Sequence, residues 1–250
     1  MGEALIETHG LTRRFGALAA VNGVSLAFET GRVHAVIGPN GAGKSTFLNL
    51  LSGELRATSG RVLLRGEDVT RAPPDRLSRL GVGRAYQTAN LFPELSSGDC
   101  VWLAAQSRLP SSMLFFRPAE RYPQVGVRAA RALEACGLSQ RRSAIAGQLS
   151  YGEQRQLEIA MVLATEPSLL LLDEPLAGLG HDEALRIVAL LREVAKGRTV
   201  ILVEHDMDAV FSISDTVTVL VDGRVLVTGA PDEIRNSAAV REAYLGGEVA

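Results

Sequence analysis

The amino-acid sequence predicts an α/β fold interrupted by a helical region, and three observations support this prediction. After residue 167, strand and helix patterns alternate, which is typical of a parallel sheet covered by helices. A glycine-rich loop at 38–46 joins an apolar strand pattern to a helix pattern. Between about 95 and 163, strand patterns fade and helical patterns replace them. The alternating elements are strands at 168–173 and 199–203 and helices at 181–196 and 207–213.

The other elements follow from local patterns and turn residues. Glycines separate four short strand patterns in the first third of the chain, at 4–8, 24–29, 32–37 and 61–65. A helix is expected from Gly43 or Lys44 to Ser52-Gly53, where glycine suits a helix end. The middle region predicts helices around 99–107, 126–136 and 151–164, with an irregular or partly helical connection at 108–124. Asp222-Gly223 predicts a hairpin between strands at 216–221 and 224–229.

Composition excludes several classes of protein. The net charge of −2 gives no basic excess for binding nucleic acid, so none is expected as a partner. Cys100 and Cys136 fit no metal or redox spacing and are expected to be reduced thiols. No signal-peptide pattern opens the chain, and the longest apolar runs are far shorter than the ~20 residues that span a bilayer. We therefore expect a soluble protein that reaches a membrane only through a partner.

The loop at 38–46 has the spacing of a phosphate-binding loop, G-x-x-x-x-G-K-[ST], between an apolar strand and a helix. In such a loop successive backbone N–H groups point at the phosphates. Lys44 is expected to reach the β- and γ-phosphates, Ser45 to bind Mg²⁺ and Thr46 to add a phosphate contact. The predicted ATP-binding residues of this loop are Gly38, Pro39, Asn40, Gly41, Ala42, Gly43, Lys44, Ser45 and Thr46.

Two acids end a predicted buried strand in the sequence LLLLDEP, residues 169–175. A carboxylate at that position can lie beside Mg²⁺, usually through a water, and we assign this role to Asp173. Glu174 leaves the opposite face and can polarise an attacking water. A strand followed by an acid is common by itself, so these assignments depend on the phosphate loop.

A second phosphate-facing helix start occurs about a hundred residues after the first. The sequence LSYGEQ, residues 149–154, places Ser150 and Gly152 in a turn before an amphipathic helix. The N-terminus of a helix attracts anions because its N–H groups are unpaired and its dipole is positive there. The sequence therefore contains two candidate phosphate sites.

The phosphate loop, LSYGEQ and LLLLDEP, in this order and at these separations, resemble the nucleotide-binding subunit of an ATP-binding cassette (ABC) transporter. The resemblance covers nearly the whole chain and implies the ABC ATPase fold, with a phosphate-loop (RecA-like) core, an N-terminal antiparallel β subdomain and an inserted α-helical subdomain. It implies one nucleotide-binding domain, residues 1–250. Residues 1–90 and 164–250 would form the catalytic α/β core, and 91–163 the helical subdomain.

The same resemblance implies why the chain has two phosphate-facing turns. In the family, the signature turn caps the γ-phosphate held by a second subunit in a head-to-tail dimer, so each chain supplies half of two sites. The signature residues expected to act on the partner's ATP are Leu149, Ser150, Tyr151, Gly152 and Glu153. The implied partner is a second ABC ATPase subunit, identical or homologous.

Further site residues are implied by the resemblance alone. Phe15 resembles the aromatic residue that stacks on adenine, although a strand-end aromatic can be purely structural. Gln87 resembles the glutamine that meets Mg²⁺ and the attacking water. His205 resembles the switch histidine that binds the γ-phosphate and orients Glu174. The expected catalytic residues are therefore Glu174, His205, Gln87 and Lys44, the metal-binding residues are Ser45, Gln87 and Asp173, and the cofactors are ATP and Mg²⁺.

The branch of the family is indicated by two segments. VEHDMDAVF and the tail AAVREAYLGGE, residues 238–248, resemble ATPases of branched-chain (Liv type) amino acid uptake systems. ATPases of urea/amide uptake and lipopolysaccharide export systems share some of these traits and stay open as alternatives. Three departures from relatives are Tyr151, where the signature more commonly has glycine, Asp99-Cys100, where many have Glu-Asn, and Gly180, where the family commonly has aspartate.

Other classes of phosphate-loop protein fit the sequence less well. Soluble ABC proteins that act on ribosomes or DNA usually carry two cassettes or a long coiled coil, and this chain has neither. Glu174 and His205 argue against a module that binds ATP without turnover, and kinases and GTPases lack LSYGEQ. The expected partners are transmembrane permease subunits and, indirectly, a solute-binding protein. The expected location is cytoplasmic, on the cytoplasmic face of the inner membrane.

Overall fold

The computed structural model describes residues 3–86, 91–109 and 122–245. The chain groups into two compact units. The first unit comprises Met1–Val82, Leu169–Glu174 and Ala195–Ala250, and the second comprises Gly83–Ser168 and Pro175–Val194. The chain therefore passes between the units four times.

The strands form two sheets. A four-stranded antiparallel sheet has the order β2-β1-β4-β5. A six-stranded sheet has the order β10-β9-β3-β8-β7-β6. Its edge strand β6 begins at Val82, where the Met1–Val82 segment of the first unit ends. The strands are β1 (Ala4–Phe15), β2 (Leu18–Glu29), β3 (Val33–Ile37), β4 (Ser59–Leu64), β5 (Glu67–Asp68), β6 (Val82–Ala85), β7 (Leu169–Asp173), β8 (Thr199–Val203), β9 (Thr216–Val221) and β10 (Arg224–Gly229).

The strands β3, β7 and β8 form the centre of the larger sheet. They are parallel, with Val36 opposite Val203 and Asp173 opposite the same residue on the other side. Every residue of these three strands is buried, as expected for central parallel strands covered on both faces. Because their carboxyl ends meet at one sheet edge, the segments that follow them are brought together.

The helices of the first unit are short and pack beside the sheets. Two hydrophobic clusters form its core: one contains Phe47 of α1 and Leu77 of α2, and the other contains Val210 of α7 and Ile234 of α8. The helices are α1 (Lys44–Leu51), α2 (Pro74–Arg79), α7 (Met207–Ile213), α8 (Pro231–Asn236) and α9 (Ala238–Leu245).

The second unit is mainly helical, and its helices α3, α4 and α5 pack against one another. Buried residues such as Val101, Leu133 and Leu157 form its interior. Ser96 caps α3, and Ser150 and Glu153 form a capping box at the start of α5. The helices are α3 (Ser97–Gln106), α4 (Pro123–Ala135), α5 (Tyr151–Leu163) and α6 (His181–Ala195), with 3₁₀ turns at Ser139–Arg141 and Ala146–Gln148.

The predicted α/β fold is confirmed, and the structure adds elements that were not predicted. β1 and β2 are longer than predicted and form a hairpin, while α2, β5, β6, α8 and α9 were not predicted as elements. The predicted Asp222-Gly223 hairpin is present, with positive φ at both residues. Most of the connection expected at 108–124 lies outside the described residues.

Among the described helices, none has the length and apolar character needed to cross a bilayer.

Candidate nucleotide-binding site

The phosphate loop follows β3 and ends at α1, and two of its glycines are required by close backbone contacts. A Cβ at Gly38 would lie 2.1 Å from the carbonyl oxygen of Leu220, and one at Gly43 would lie 2.0 Å from that of Ala20. Gly43 also has φ of 94°, in the left-handed region that favours glycine. A side chain at either position would therefore displace neighbouring backbone.

Lys44 lies within this loop. Its Nζ donates hydrogen bonds to the carbonyl oxygens of Gly38 at 2.7 Å and Pro39 at 3.0 Å. Burial lowers the pKa of Lys44, and the nearby carboxylates of Glu174 and Asp173 oppose that decrease. The ammonium group is thus an electrostatic neighbour of Asp173, the last residue of β7, and of Glu174, which follows it.

The hydroxyl of Ser45 meets the carboxylate of Asp173. Ser45 Oγ donates to Asp173 Oδ1 at 3.3 Å, and Asp173 is buried at the end of β7. Two oxygen groups at the foot of a phosphate loop are the ligand type that Mg²⁺ prefers, since Mg²⁺ usually retains waters and substrate phosphates as its other ligands. The donor set therefore fits a Mg²⁺–nucleotide complex.

Glu174 has an unusual backbone conformation for a residue with a side chain. Its φ is 47°, and its N–H donates to the carbonyl oxygen of Val203 at 2.8 Å. The left-handed conformation costs a non-glycine residue about 1–3 kcal/mol and is found often at functional sites. The hydrogen bond to β8 holds the Glu174 backbone immediately after Asp173.

The turn after β8 contains His205 and a buried acid. His205 has a side chain that is 66% exposed, and its Nδ1 lies 3.6 Å from Glu204 Oε2. That oxygen accepts the N–H of His205 at 2.9 Å, while the Glu204 side chain is fully buried. Glu204 therefore shapes the turn that presents His205. Glu204 was not among the predicted site residues, although an acid at the end of an apolar strand, here TVILV, repeats the pattern at Asp173.

Phe15 ends β1 at the tip of the first hairpin. Its side chain is half-exposed, and the guanidinium of Arg13 lies 4.5 Å from the ring centroid. The same hairpin contains Ala20, whose carbonyl closely approaches Gly43 of the phosphate loop. An exposed aromatic ring therefore lies on a hairpin that contacts the phosphate loop.

The signature turn opens α5 in the second unit. Ser150 Oγ accepts the N–H of Glu153 at 3.2 Å, and Glu153 Oε2 accepts the N–H of Ser150 at 3.0 Å. The hydrogen bond from the Ser150 N–H and the ion pair with Arg141 lower the pKa of the Glu153 carboxyl. Within the described part of the chain, no hydrogen bond uses the N–H groups of Tyr151 and Gly152. These N–H groups and the Ser150 hydroxyl proton can be donated to an anion.

Tyr151 and the 175–180 loop also meet in the second unit. Tyr151 is half-exposed, and a Cβ on Gly178 would lie 3.3 Å from its ring. A Cβ on Gly152 would lie 2.9 Å from a carboxylate oxygen of Glu183. Gly180, by contrast, has no neighbouring atom within 4 Å of a built Cβ. The space at Gly180 would admit the aspartate that the family commonly has.

Asp99 and Cys100, which stand where many relatives have Glu-Asn, lie at the start of α3. Asp99 Oδ2 accepts a hydrogen bond from Ser96 Oγ at 2.6 Å, and Cys100 is fully buried with its Sγ 3.6 Å from the Phe92 carbonyl oxygen. These two residues cap and pack a helix. Cys100 therefore presents no surface to a partner.

The structure thus brings together most of the predicted site. The phosphate loop, Asp173, Glu174 and His205 follow parallel neighbouring strands of the first unit. The signature residues belong to the second unit. Gln87 lies outside the described residues, so its predicted role stays a prediction.

Tyr244 of α9 is a residue near the phosphate loop that the sequence analysis did not assign. It packs against the cluster that contains Ile37, the last residue of β3. Burial raises the pKa of its hydroxyl, and the nearby N–H of Gly38 opposes that increase. The sequence signal was the tail AAVREAYLGGE, which indicated a family branch and gave no contact.

Comparison with known proteins identifies the family. A family profile described as ABC transporter matches residues 21–177. The chain belongs to the ABC transporter family. As a member it binds nucleotide and hydrolyses ATP, which confirms the resemblance seen in the sequence. A second profile, described as branched-chain amino acid ATP-binding cassette transporter, matches residues 224–250.

Individual ABC proteins are similar over almost the whole chain. The high-affinity branched-chain amino acid transport ATP-binding protein BraF of Pseudomonas aeruginosa is 40% identical over 255 residues, covering 98% of this chain and 99% of BraF. The ADP conformation of MJ1267, an ABC transporter cassette, superposes with a TM-score of 0.84 at 30% identity, covering 97% of this chain and 99% of that one. A dimeric post-hydrolysis state of the cassette MJ0796 with ADP and Pi gives 0.76 at 25% identity, covering 90% and 98%.

Proposed function

We propose that the chain is the ATP-hydrolysing subunit of a membrane transporter that imports branched-chain or other hydrophobic amino acids. The observation that carries the hydrolytic role is the convergence of Lys44, Ser45 and the acids Asp173 and Glu174 at one sheet edge. The cargo is supported by the similarity to BraF and by the tail profile.

In the proposed complex, Phe15 stacks on adenine and the loop from Gly38 to Thr46 surrounds the phosphates. Ser45 and Gln87 would hold Mg²⁺ directly, and Asp173 would hold it through a water. The bound Mg²⁺ would supply positive charge that offsets negative charge on the phosphates. Lys44 would contribute the same kind of stabilisation from within the loop.

Glu174 is proposed to orient the attacking water and to accept its proton. It follows Asp173 directly, and its carboxylate is close enough to Lys44 to oppose the decrease in the pKa of that lysine. His205 would donate a hydrogen bond to the γ-phosphate and keep Glu174 oriented. Positioning of this kind accounts for most of the catalysis of phosphoryl transfer, because the protein forms no covalent bond to the substrate.

The signature residues are proposed to serve a second cassette. The Ser150 hydroxyl and the N–H groups of Tyr151 and Gly152 can cap a γ-phosphate, and the chain has its own phosphate loop for its own ATP. A dimeric assembly is supported by the dimeric MJ0796 structure, which has the same fold. The second subunit would be another copy or a homologue. Hydrolysis would reopen the closed dimer and drive the transporter.

The membrane partner is proposed to contact the helical subdomain, residues 91–163. Phe92 is half-exposed in this segment, and the same subdomain has a cleft lined by Trp102 and Arg142. Permease subunits would place the cassette on the cytoplasmic face of the membrane, and a solute-binding protein would act on the other side.

The proposed function is tested by isolating the chain with its membrane partners through an affinity tag. The complex is reconstituted into vesicles loaded with ATP and Mg²⁺, and uptake of labelled leucine is measured with the solute-binding protein outside. We expect ATP-dependent leucine uptake and no uptake of urea. Uptake of urea without leucine would contradict the proposed cargo, and accumulation of neither solute would contradict amino acid import.

Phe92→Ala is expected to lower leucine uptake by this complex at least fivefold, because the half-exposed ring would lose its contact with the permease. ATP affinity of the isolated chain should stay unchanged, since Phe92 lies outside the phosphate-contacting segments. Val127→Ala, at another half-exposed apolar residue of the helical subdomain, is the matched control. A loss of ATP affinity in Phe92→Ala would assign this segment to the nucleotide pocket instead.

A further inference from the structure

The signature helix α5 contains two buried charged side chains. Arg155 and Glu158 form an ion pair one helical turn apart, and their side chains are only 3% and 6% exposed. Charged side chains are almost never buried to this extent unless they are paired. Both lie in the interior of the second unit, on the helix that begins at the signature turn.

The pair holds the backbone of two other segments of the second unit. Arg155 Nε donates to the carbonyl oxygen of Pro175 at 3.0 Å, and its Nη1 donates to that of Tyr86. Glu158 Oε1 accepts the N–H of Tyr86 at 2.8 Å. Burial raises the pKa of Glu158, while Arg155 and the Tyr86 N–H oppose that rise. Both polar groups of the Tyr86 backbone are therefore held by one ion pair.

The two segments adjoin residues of the proposed reaction. Pro175 directly follows Glu174, and Tyr86 directly precedes Gln87. Pro175 is also the first residue after the chain passes from the first unit to the second, and Tyr86 follows another such crossing at Val82–Gly83. A planar guanidinium holds several acceptors in a fixed arrangement, which a lysine ammonium cannot do.

We propose that Arg155 and Glu158 are positioning residues for ATP hydrolysis, holding the backbone next to Glu174 and Gln87 in a fixed place relative to the signature helix. This inference rests on the proposed role of Glu174. In a shared-site dimer, Ser150 at one end of α5 serves the partner's ATP, while Glu174 serves the chain's own. The pair therefore joins the signature helix to Pro175, the residue that directly follows Glu174.

Arg155 gives the 175–180 loop a side-chain contact that Gly180, which has no side chain, cannot provide. Where the family commonly has aspartate, Gly180 has no side chain to carry an interaction between sites. Arg155 instead binds the first residue of the same loop, Pro175. Loss of the pair should impair hydrolysis and leave ATP binding intact, because the phosphate loop belongs to the first unit and keeps its sequence in such a variant.

The test replaces the pair by apolar residues, Arg155→Met with Glu158→Leu, in the full chain. An apolar pair often preserves folding, because it leaves no unpaired buried charge. ATP binding, its stoichiometry and steady-state hydrolysis are measured, and kcat is expressed per ATP-binding site so that an unfolded fraction does not lower it. We expect an ATP Kd within about twofold of the parent and kcat reduced at least about tenfold, as for a misplaced catalytic group.

Two further variants separate positioning from a structural role. Arg155→Lys keeps the charge but not the guanidinium fork and should lower kcat by about threefold with KM unchanged. Arg128→Met removes the more exposed ion pair with Glu166 in the same unit, 3.0 Å long, and should leave kcat unchanged.

The outcomes are distinct. A folded double variant with parental kcat would overturn the positioning role, as would a raised Kd with unchanged kcat. If the double variant does not fold, parental kcat in Arg155→Lys would overturn it. Absence of ATP hydrolysis in the parent chain would contradict the proposed function itself and is measured first.

Discussion

Glu174→Gln is expected to reduce steady-state ATP hydrolysis at least about 100-fold, the usual contribution of a general base. The amide keeps the size of the side chain but cannot accept the proton of the attacking water. ATP affinity should stay within about twofold, because the phosphate loop is unchanged. Since ATP would bind without being hydrolysed, the variant should accumulate as an ATP-bound dimer. ATPase rates and size-exclusion profiles with ATP and with ADP measure both effects.

Glu166→Gln is a matched control for this substitution. Glu166 also has a positive φ, 52°, and an exposed carboxylate, but it lies outside the proposed site. It should retain parental turnover. Near-parental turnover in Glu174→Gln would remove Glu174 from the role of base, and a strong loss of ATP affinity would show that its charge serves binding instead.

The local parts of the fold could be predicted from the sequence because each has a local physical signal. The apolar strand VHAVI, the phosphate loop and the helix from Lys44 follow one another within twenty residues, and all three are present. The hairpin at Asp222-Gly223 could also be predicted from the sequence, because its two turn residues accept positive φ. The order of strands in the sheets depends on distant pairing and has no comparable local signal.

Long-range contacts account for what the sequence left unpredicted. The glycine requirement at Gly43 arises from Ala20 in a distant hairpin, and the one at Gly38 arises from Leu220 near the other end of the chain. A pattern can identify these glycines as part of a phosphate loop, but the close contacts become visible only once the sheets are assembled.

Buried charges were the least predictable feature of the site. On a helix, an arginine and a glutamate three residues apart usually form a solvated pair, yet Arg155 and Glu158 are buried. Glu204 is also buried, although it stands beside a predicted site histidine. Arg155 and Glu158 bind backbone groups of other segments, whereas Glu204 accepts the N–H groups of the two residues that follow it. Composition and periodicity do not specify partners of either kind.

If two chains share each ATP site, variants at Lys44 and Ser150 should each lose ATPase activity and recover it when mixed. Lys44→Ala removes the buried ammonium of the phosphate loop, and Ser150→Arg places bulk and a long side chain at the capped start of α5. Each variant alone is expected to lose nearly all ATPase activity. When the two are mixed as a homodimer, one site carries both defects and the other carries neither. Mixing should therefore restore activity.

The fraction of ATP sites that become intact on mixing can be calculated. With random pairing of equal amounts, half of the dimers are mixed and each has one intact site, so about a quarter of all sites should be intact. Two affinity tags allow mixed dimers to be purified and their turnover measured.

The matched control mixes Lys44→Ala with the double variant Lys44→Ala/Ser150→Arg. Every phosphate loop in that mixture is defective, so no ATPase activity should be recovered. If Ser150 served its own chain's ATP, every site in the first mixture would also stay defective. Purified mixed dimers without activity would then contradict the shared site, provided that a dimer with one intact site, prepared independently, turns over.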